Sequence, residues 1–128
     1  MVAEKLHAMV DLGIGNSRMK DFFDFWYLAG NFAFEGQRLA TAVRATFARR
    51  QTPLPAEPPV GMSPAFGRDP AKQKQWSASV ARSRLLEKPE GLTEVIGKLR
   101  EFLWPVIGAA ASGQALGSWS PPGGWIAA

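Results

Sequence analysis

Two short stretches carry side chains that could do chemistry. The first is Lys5, which on a helical wheel falls between Met9 and Leu12, at the edge of an apolar face rather than with Glu4 and Asp11. A lysine there can lay its stem over the core and send its ammonium outward. It can also aim that ammonium into a cleft and hold a phosphate as a point charge. The second is Lys20-Asp21-Phe22-Phe23-Asp24. Lys20 and Asp24 stand at i, i+4 and can pair, and Asp21 and Asp24 stand at i, i+3. Two carboxylates and one ammonium on a helix surface backed by aromatics suit proton transfer or metal binding. The plain alternative is a solvated face with one helical salt bridge. His7 is the only histidine and has polar neighbours, so it reads as a surface or half-buried residue with no second metal ligand at suitable spacing. Gly13-Ile14-Gly15-Asn16 is too short for a phosphate-binding glycine loop. The five tryptophans read as core and interface anchors.

These side chains must be positioned by helices, because the sequence predicts four or five helices and no convincing strand. Residues 2–12 place Val2, Ala3, Leu6, Met9 and Val10 on one side of a 3.6-residue turn. Asn16 or Ser17 can cap the next helix, about 20–30, whose stripe is Phe22, Phe25, Trp26 and Ala29. A third helix, about 37–50, carries Leu39, Val43 and Phe47 and ends in Arg49-Arg50, as suits a helix C-terminus. Residues 52–67 hold five prolines and two glycines, which predicts an extended connector. Asp69-Pro70 restarts a helix running to about Leu86. The last helix, about 92–112, is the most regular, with Pro105 expected to bend it. The organisation expected is one domain over 1–128: helices bearing the candidate residues in 1–51, the connector in 52–68, two helices in 69–113 and an irregular tail in 114–128.

The chain has 128 residues, no cysteine and a net charge of +4 from fifteen basic and eleven acidic residues. Residues 1–30 sum to −1, whereas 68–88 carry six basic and two acidic residues, a net of +4. Such a basic surface suits nucleic acid as well as an ordinary solvated face. No apolar run approaches the ~20 residues needed to span a bilayer, and no secretory signal opens the chain. A cytoplasmic protein is expected.

The ordered set of motifs resembles the AbiEii/AbiGii family of type IV toxin–antitoxin and phage-abortive (abortive infection) toxins. Glu4-Lys5-Leu6-His7-Ala8-Met9-Val10 and Asn16-Ser17-Arg18-Met19-Lys20-Asp21-Phe22-Phe23-Asp24 are similar to its third and fourth motifs. The likeness continues through Thr46-Phe47-Ala48-Arg49-Arg50, Asp69-Pro70-Ala71-Lys72-Gln73, Gln75-Trp76, Phe102-Leu103-Trp104-Pro105-Val106 and Gly123-Gly124-Trp125. It departs at Pro121-Pro122. The resemblance implies an all-α C-terminal domain of a DNA polymerase β-like nucleotidyltransferase, which moves a nucleotide from an NTP to an acceptor such as tRNA. It makes Lys5 the motif-three lysine that contacts the nucleotide phosphates and Asp21 the essential acid, with Lys20 and Asp24 as its nucleotide-binding companions. It implies Mg2+ and NTP in the intact enzyme. The family's Gly-Ser turn with its D-x-D pair is not among these 128 residues, so neither is expected to be bound by this chain alone, which is expected to be an inactive fragment. Loss of the metal-binding half would bare apolar surface and favour self-association. The rival reading is a non-enzymatic helical interaction module or gene remnant, favoured if upstream DNA encodes no such motifs. A shared site further requires that the stripe of the first helix meet Phe22, Trp26 and Ala29, leaving Lys5 within about 10 Å of Asp21 or Asp24, one screening length.

Overall fold

The computed structural model describes residues 2–13, 19–82, 91–121 and 123–126. Among these, six α-helices dominate: α1 (Val2–Leu12), α2 (Met19–Asn31), α3 (Gly36–Arg49), α4 (Pro64–Arg68), α5 (Pro70–Arg82) and α6 (Leu92–Ser112). A 3-10 turn spans Val60–Met62, and three two-residue strands, β1 (Phe34–Glu35), β2 (Ser118–Trp119) and β3 (Trp125–Ile126), complete the set. The all-α class expected from the sequence is the class found. The Asn16/Ser17 cap and the stretch to Leu86 lie outside the described residues.

The core forms around α6, the longest helix, because its stripe of Val95, Leu99, Phe102, Leu103, Val106 and Ile107 is almost wholly removed from water. Helices α2, α3 and α4 all pack on it. Pro105 stands inside α6 and takes away one backbone donor, yet the helix continues to Ser112 before Gly113 ends it. The stripe on both sides of the proline supplies the burial that keeps the helix going.

Two regions depart from the sequence expectation. The proline-rich stretch is not simply extended: Val60–Met62 turns and Pro64–Arg68 is helical. Proline blocks a helix interior but suits its first position, and Ser63 caps α4 by accepting from the Phe66 amide at 3.2 Å. The turn and α4 bury Met62 and Phe66, and Phe66 stacks on Phe22 with ring centres 5.3 Å apart. The connector is therefore part of the core. Asp69 then caps α5 as expected, its Oδ1 accepting from the Ala71 amide at 2.8 Å. Within the basic stretch, Lys72 is buried with its ammonium over the Phe66 ring, so it does not belong to a solvated face.

The tail, expected to be irregular, folds back as a strand pair on β1. The sheet order is β1-β2-β3, antiparallel throughout, pairing Phe34 with Trp119 and Trp119 with Trp125. Gly123 and Gly124, at φ 157° and 136°, make the reversal in a region that side chains rarely enter. Its anchor is Trp119, buried against Phe102 at 4.8 Å, whose indole N–H donates to the Ala29 carbonyl at 2.7 Å. Trp125 donates to the Phe102 carbonyl at 3.1 Å.

Candidate functional site

Helix α1 buries Val2, Ala3, Leu6 and Met9 and leaves Lys5 on the flank of that face. Helix α2 buries Phe22, Phe25 and Ala29, and also Asp21, which is unusual for an acid. The two helices are joined by the Lys5 contacts to Asp21 and Asp24, but neither is the other's chief packing partner. α1 packs chiefly on α3, where His7 makes an edge contact with Phe47 (5.2 Å), while α2 packs chiefly on α6. The link between them is Gly61 in the 3-10 turn. A Cβ placed there would come within 2.7 Å of Met9 Cγ, too close without a shift, and in ordinary contact, 3.5 Å, with Phe22 Cζ, so a side chain here would press on α1. The stripe of α2 is shared, chiefly with α6 and at Phe22 with Phe66 of α4.

The charged groups converge nonetheless. The Lys5 ammonium lies 3.0 Å from Asp21 Oδ1 and 2.9 Å from Asp24 Oδ2, well inside the 10 Å expected. Lys20 reaches Asp24 Oδ2 at 3.6 Å, but its side chain is 85% exposed against 19% for Lys5 and 7% for Asp21. Lys5, Asp21 and Asp24 thus form the inner group and Lys20 an outer, solvated arm. Asp24, then Asp21, hold the Lys5 ammonium above the ordinary lysine value, against a partial burial that pulls the other way.

Lys5 opens onto a cleft of about 370 Å3 lined also by Glu4, His7, Ala8, Asp11, Leu12 and Arg50. Several of these were not singled out in the sequence. Glu4 accepts from Arg49 at 2.9 Å and from Arg50 at 2.7 Å, one guanidinium on each oxygen. Arg50 first, and Arg49 second, hold the Glu4 carboxyl below its usual range. Sequence reading placed Glu4 on the polar side of α1 and the arginines at a helix end, and both placements hold. No local pattern could show that the two faces meet. His7 is half-buried, with Nε2 2.8 Å from the Thr52 hydroxyl; that hydroxyl lies 3.2 Å from the Arg50 carbonyl, so it can donate there and accept from the ring. Thr52 reaches this place because Gln51 adopts a left-handed φ of 53° and the Thr52 amide donates to Phe47 O at 2.9 Å, closing the end of α3.

The donor set does not suit a divalent cation. Among the described residues no three His, Asp or Glu side chains gather as metal ligands. The nearest pair, Asp21 and Asp24, already shares the Lys5 ammonium, which would repel a second cation. What the arrangement can do is hold a cation ready beside an open cleft, with carboxylates able to accept a proton. Among the described residues no helix is long and apolar enough to cross a membrane.

A family model described as nucleotidyl transferase AbiEii toxin, type IV TA system, matches residues 1–103, a span that holds every residue of this site. No curated protein and no solved structure gave a match.

Proposed function

The chain belongs to the AbiEii family of nucleotidyl transferase toxins of type IV toxin–antitoxin systems, and from that premise we propose that Lys5, Asp21 and Asp24 form the nucleotide-facing wall of a transfer site. The observation that carries this reading is the Lys5 ammonium held between the Asp21 and Asp24 carboxylates, on a residue that also lines a cleft. A buried or half-buried ion pair contributes little net stability, because desolvation offsets the attraction. Keeping Asp21 almost dry beside a lysine makes more sense where the ammonium exchanges partners. An incoming triphosphate takes Lys5 as a point charge, which leaves a carboxylate able to act as a base.

The reaction is nucleotidyl transfer from an NTP to an acceptor hydroxyl, with tRNA as the acceptor. The hydroxyl oxygen forms a bond to the α-phosphorus, the bond to the pyrophosphate oxygen breaks, and the hydroxyl proton passes to the Asp21 carboxylate. Lys5 binds the phosphates, and Asp24 with Lys20 fixes the position of Lys5. Magnesium needs carboxylates beyond those described here, such as the D-x-D pair that the 128 residues lack, so no step of the chemistry is assigned to it. The polypeptide of these 128 residues by itself is inactive on this reading, and the intact enzyme acts in the cytoplasm on tRNA.

The test is transfer of labelled nucleotide to a tRNA pool. The 128-residue polypeptide alone should match a heat-killed control. Joined to a Gly-Ser/D-x-D domain of a family member, it should label tRNA, and Lys5→Ala or Asp21→Asn should abolish the label. Activity of the polypeptide alone, or full activity of either variant, contradicts the reading.

A further inference from the structure

We propose that Glu4 is a counter-ion gate on an anion site that Lys5 shares with Arg50, and that this site takes a ligand of the phosphate class. The inference rests on the reading of Lys5 given above and adds the second cation and its control.

Lys5 and Arg50 line one cleft, of about 370 Å3, within the roughly 300–1,000 Å3 usual for small-molecule sites. Each is held by carboxylates: Lys5 by Asp21 and Asp24, Arg50 by Glu4 at 2.7 Å. Asp11 also lines the cleft, so the lining itself holds two cations, Lys5 and Arg50, and two carboxylates, Glu4 and Asp11, with Asp21 and Asp24 engaging Lys5 from outside it. The cleft as it stands has cations in place but no surplus positive charge for an anion. Glu4 is the carboxylate that engages Arg50. It neighbours Lys5 on α1, and its two oxygens are divided between Arg49 and Arg50. Arg49 does not line the cleft, so it can keep one Glu4 oxygen while Arg50 turns to a ligand. The backbone of Arg50 is fixed by the close of α3, its amide donating to Thr46 O at 3.0 Å, while its side chain remains half exposed and can swing. Its planar fork of donors suits phosphate oxygens.

The gate is weak by construction. Exposed ion pairs exchange readily and are screened by salt, so a multiply charged phosphate group competes well for Arg50. Glu4 therefore sets a threshold: weakly charged anions do not open the pair, and polyphosphates do.

The probe is inorganic tripolyphosphate, titrated calorimetrically into the 128-residue chain. Glu4→Gln should tighten binding about two- to fivefold, the equivalent of one exposed ion pair. Arg50→Ala should weaken it about tenfold, as expected for losing charge-assisted hydrogen bonds. In the double variant the gain from Glu4→Gln should vanish, because there is no guanidinium left to release. Glu4→Gln binding no tighter than the parent, a gain that persists without Arg50, or no binding by any variant overturns the gate. Lys5→Ala separates the two readings: if it leaves tripolyphosphate binding intact while Glu4→Gln still tightens it, the gate on Arg50 stands and the role given to Lys5 fails. If Lys5→Ala abolishes binding and Glu4→Gln changes nothing, the reverse holds.

Discussion

The two ends of this small helical protein are built from opposite materials. At one end Phe34, Phe102, Trp119 and Trp125 interlock, with ring centres 4.8–6.1 Å apart and both indole N–H groups spent on backbone carbonyls. At the other, Lys5 pairs with Asp21 and Asp24, Glu4 pairs with Arg49 and Arg50, and Lys5, Glu4 and Arg50 line one cleft. Aromatic contacts have one good geometry and lose when it changes. Ion pairs at a half-wet surface have several partners of similar worth. The first end fixes the chain; the second can exchange what it holds. On the proposed function, that division leaves the phosphate-facing residues on α1 and α2 and the anchor of the tail on the sheet.

The comparison is most easily broken at the aromatic end. Trp119→Ala should cost about 3–5 kcal/mol, the usual loss for a buried tryptophan, read by urea denaturation. A loss below 1 kcal/mol would mean the tail is an ornament. Next comes the joint between the ends. Gly61→Ala places a methyl against Met9 and Phe22, and overpacking of this kind costs about 1–3 kcal/mol. It should also pull Lys5 away from Asp21, so affinity for NTP should fall with stability, whereas Trp119→Ala should lower stability without touching affinity. Equal effects on affinity would erase the distinction between the two ends.

Within the charged end the expected effects are smaller. Lys5→Met leaves the Asp21 carboxylate nearly dry without its ammonium, at about 1–2 kcal/mol after allowing for partial exposure. The sign of its pH dependence follows from the raised value of Lys5. Folding stabilises the protonated ammonium, so the contribution is complete below the ordinary lysine value and is lost as pH climbs through the higher folded one. The stability gap between parent and Lys5→Met should stay constant near neutrality and close only in strong alkali. A gap that closes on mild alkalinisation would contradict it. Lys20→Ala should change stability by no more than a few tenths of a kcal/mol, as for other exposed helical pairs, and a loss comparable to that of Lys5 would move Lys20 into the inner group.

Much of this was legible in the sequence, for reasons that differ by residue. Helices α1, α2, α3 and α6 follow from 3.6-residue stripes, because burial of such a stripe decides the local structure whatever it packs on. Lys5 stood out because it falls at the edge of its stripe and Asp21 because it shares a helix surface with Lys20 and Asp24; that Asp21 is buried was not legible. The chief partner of α1, which is α3, was not foreseen because periodicity tells which side is buried and not by what. α4 was missed because proline was counted as a breaker at Pro64, where it follows a capping serine. The strand pair of the tail depends on an indole bonded to a carbonyl 90 residues away, and the Glu4 clamp joins residues 45 and 46 apart. Nothing local encodes either.

The central claim is that the Lys5 ammonium leaves its carboxylates for a triphosphate. The most direct measurement is side-chain nitrogen NMR of lysine-labelled protein, joined to the Gly-Ser/D-x-D domain of a family member, during an NTP titration without added metal. The Lys5 ammonium resonance should shift saturably, while that of Lys98, exposed on α6, should not. A Lys5 signal that stays put, or moves only in step with Lys98 as a general ionic effect, would contradict the account.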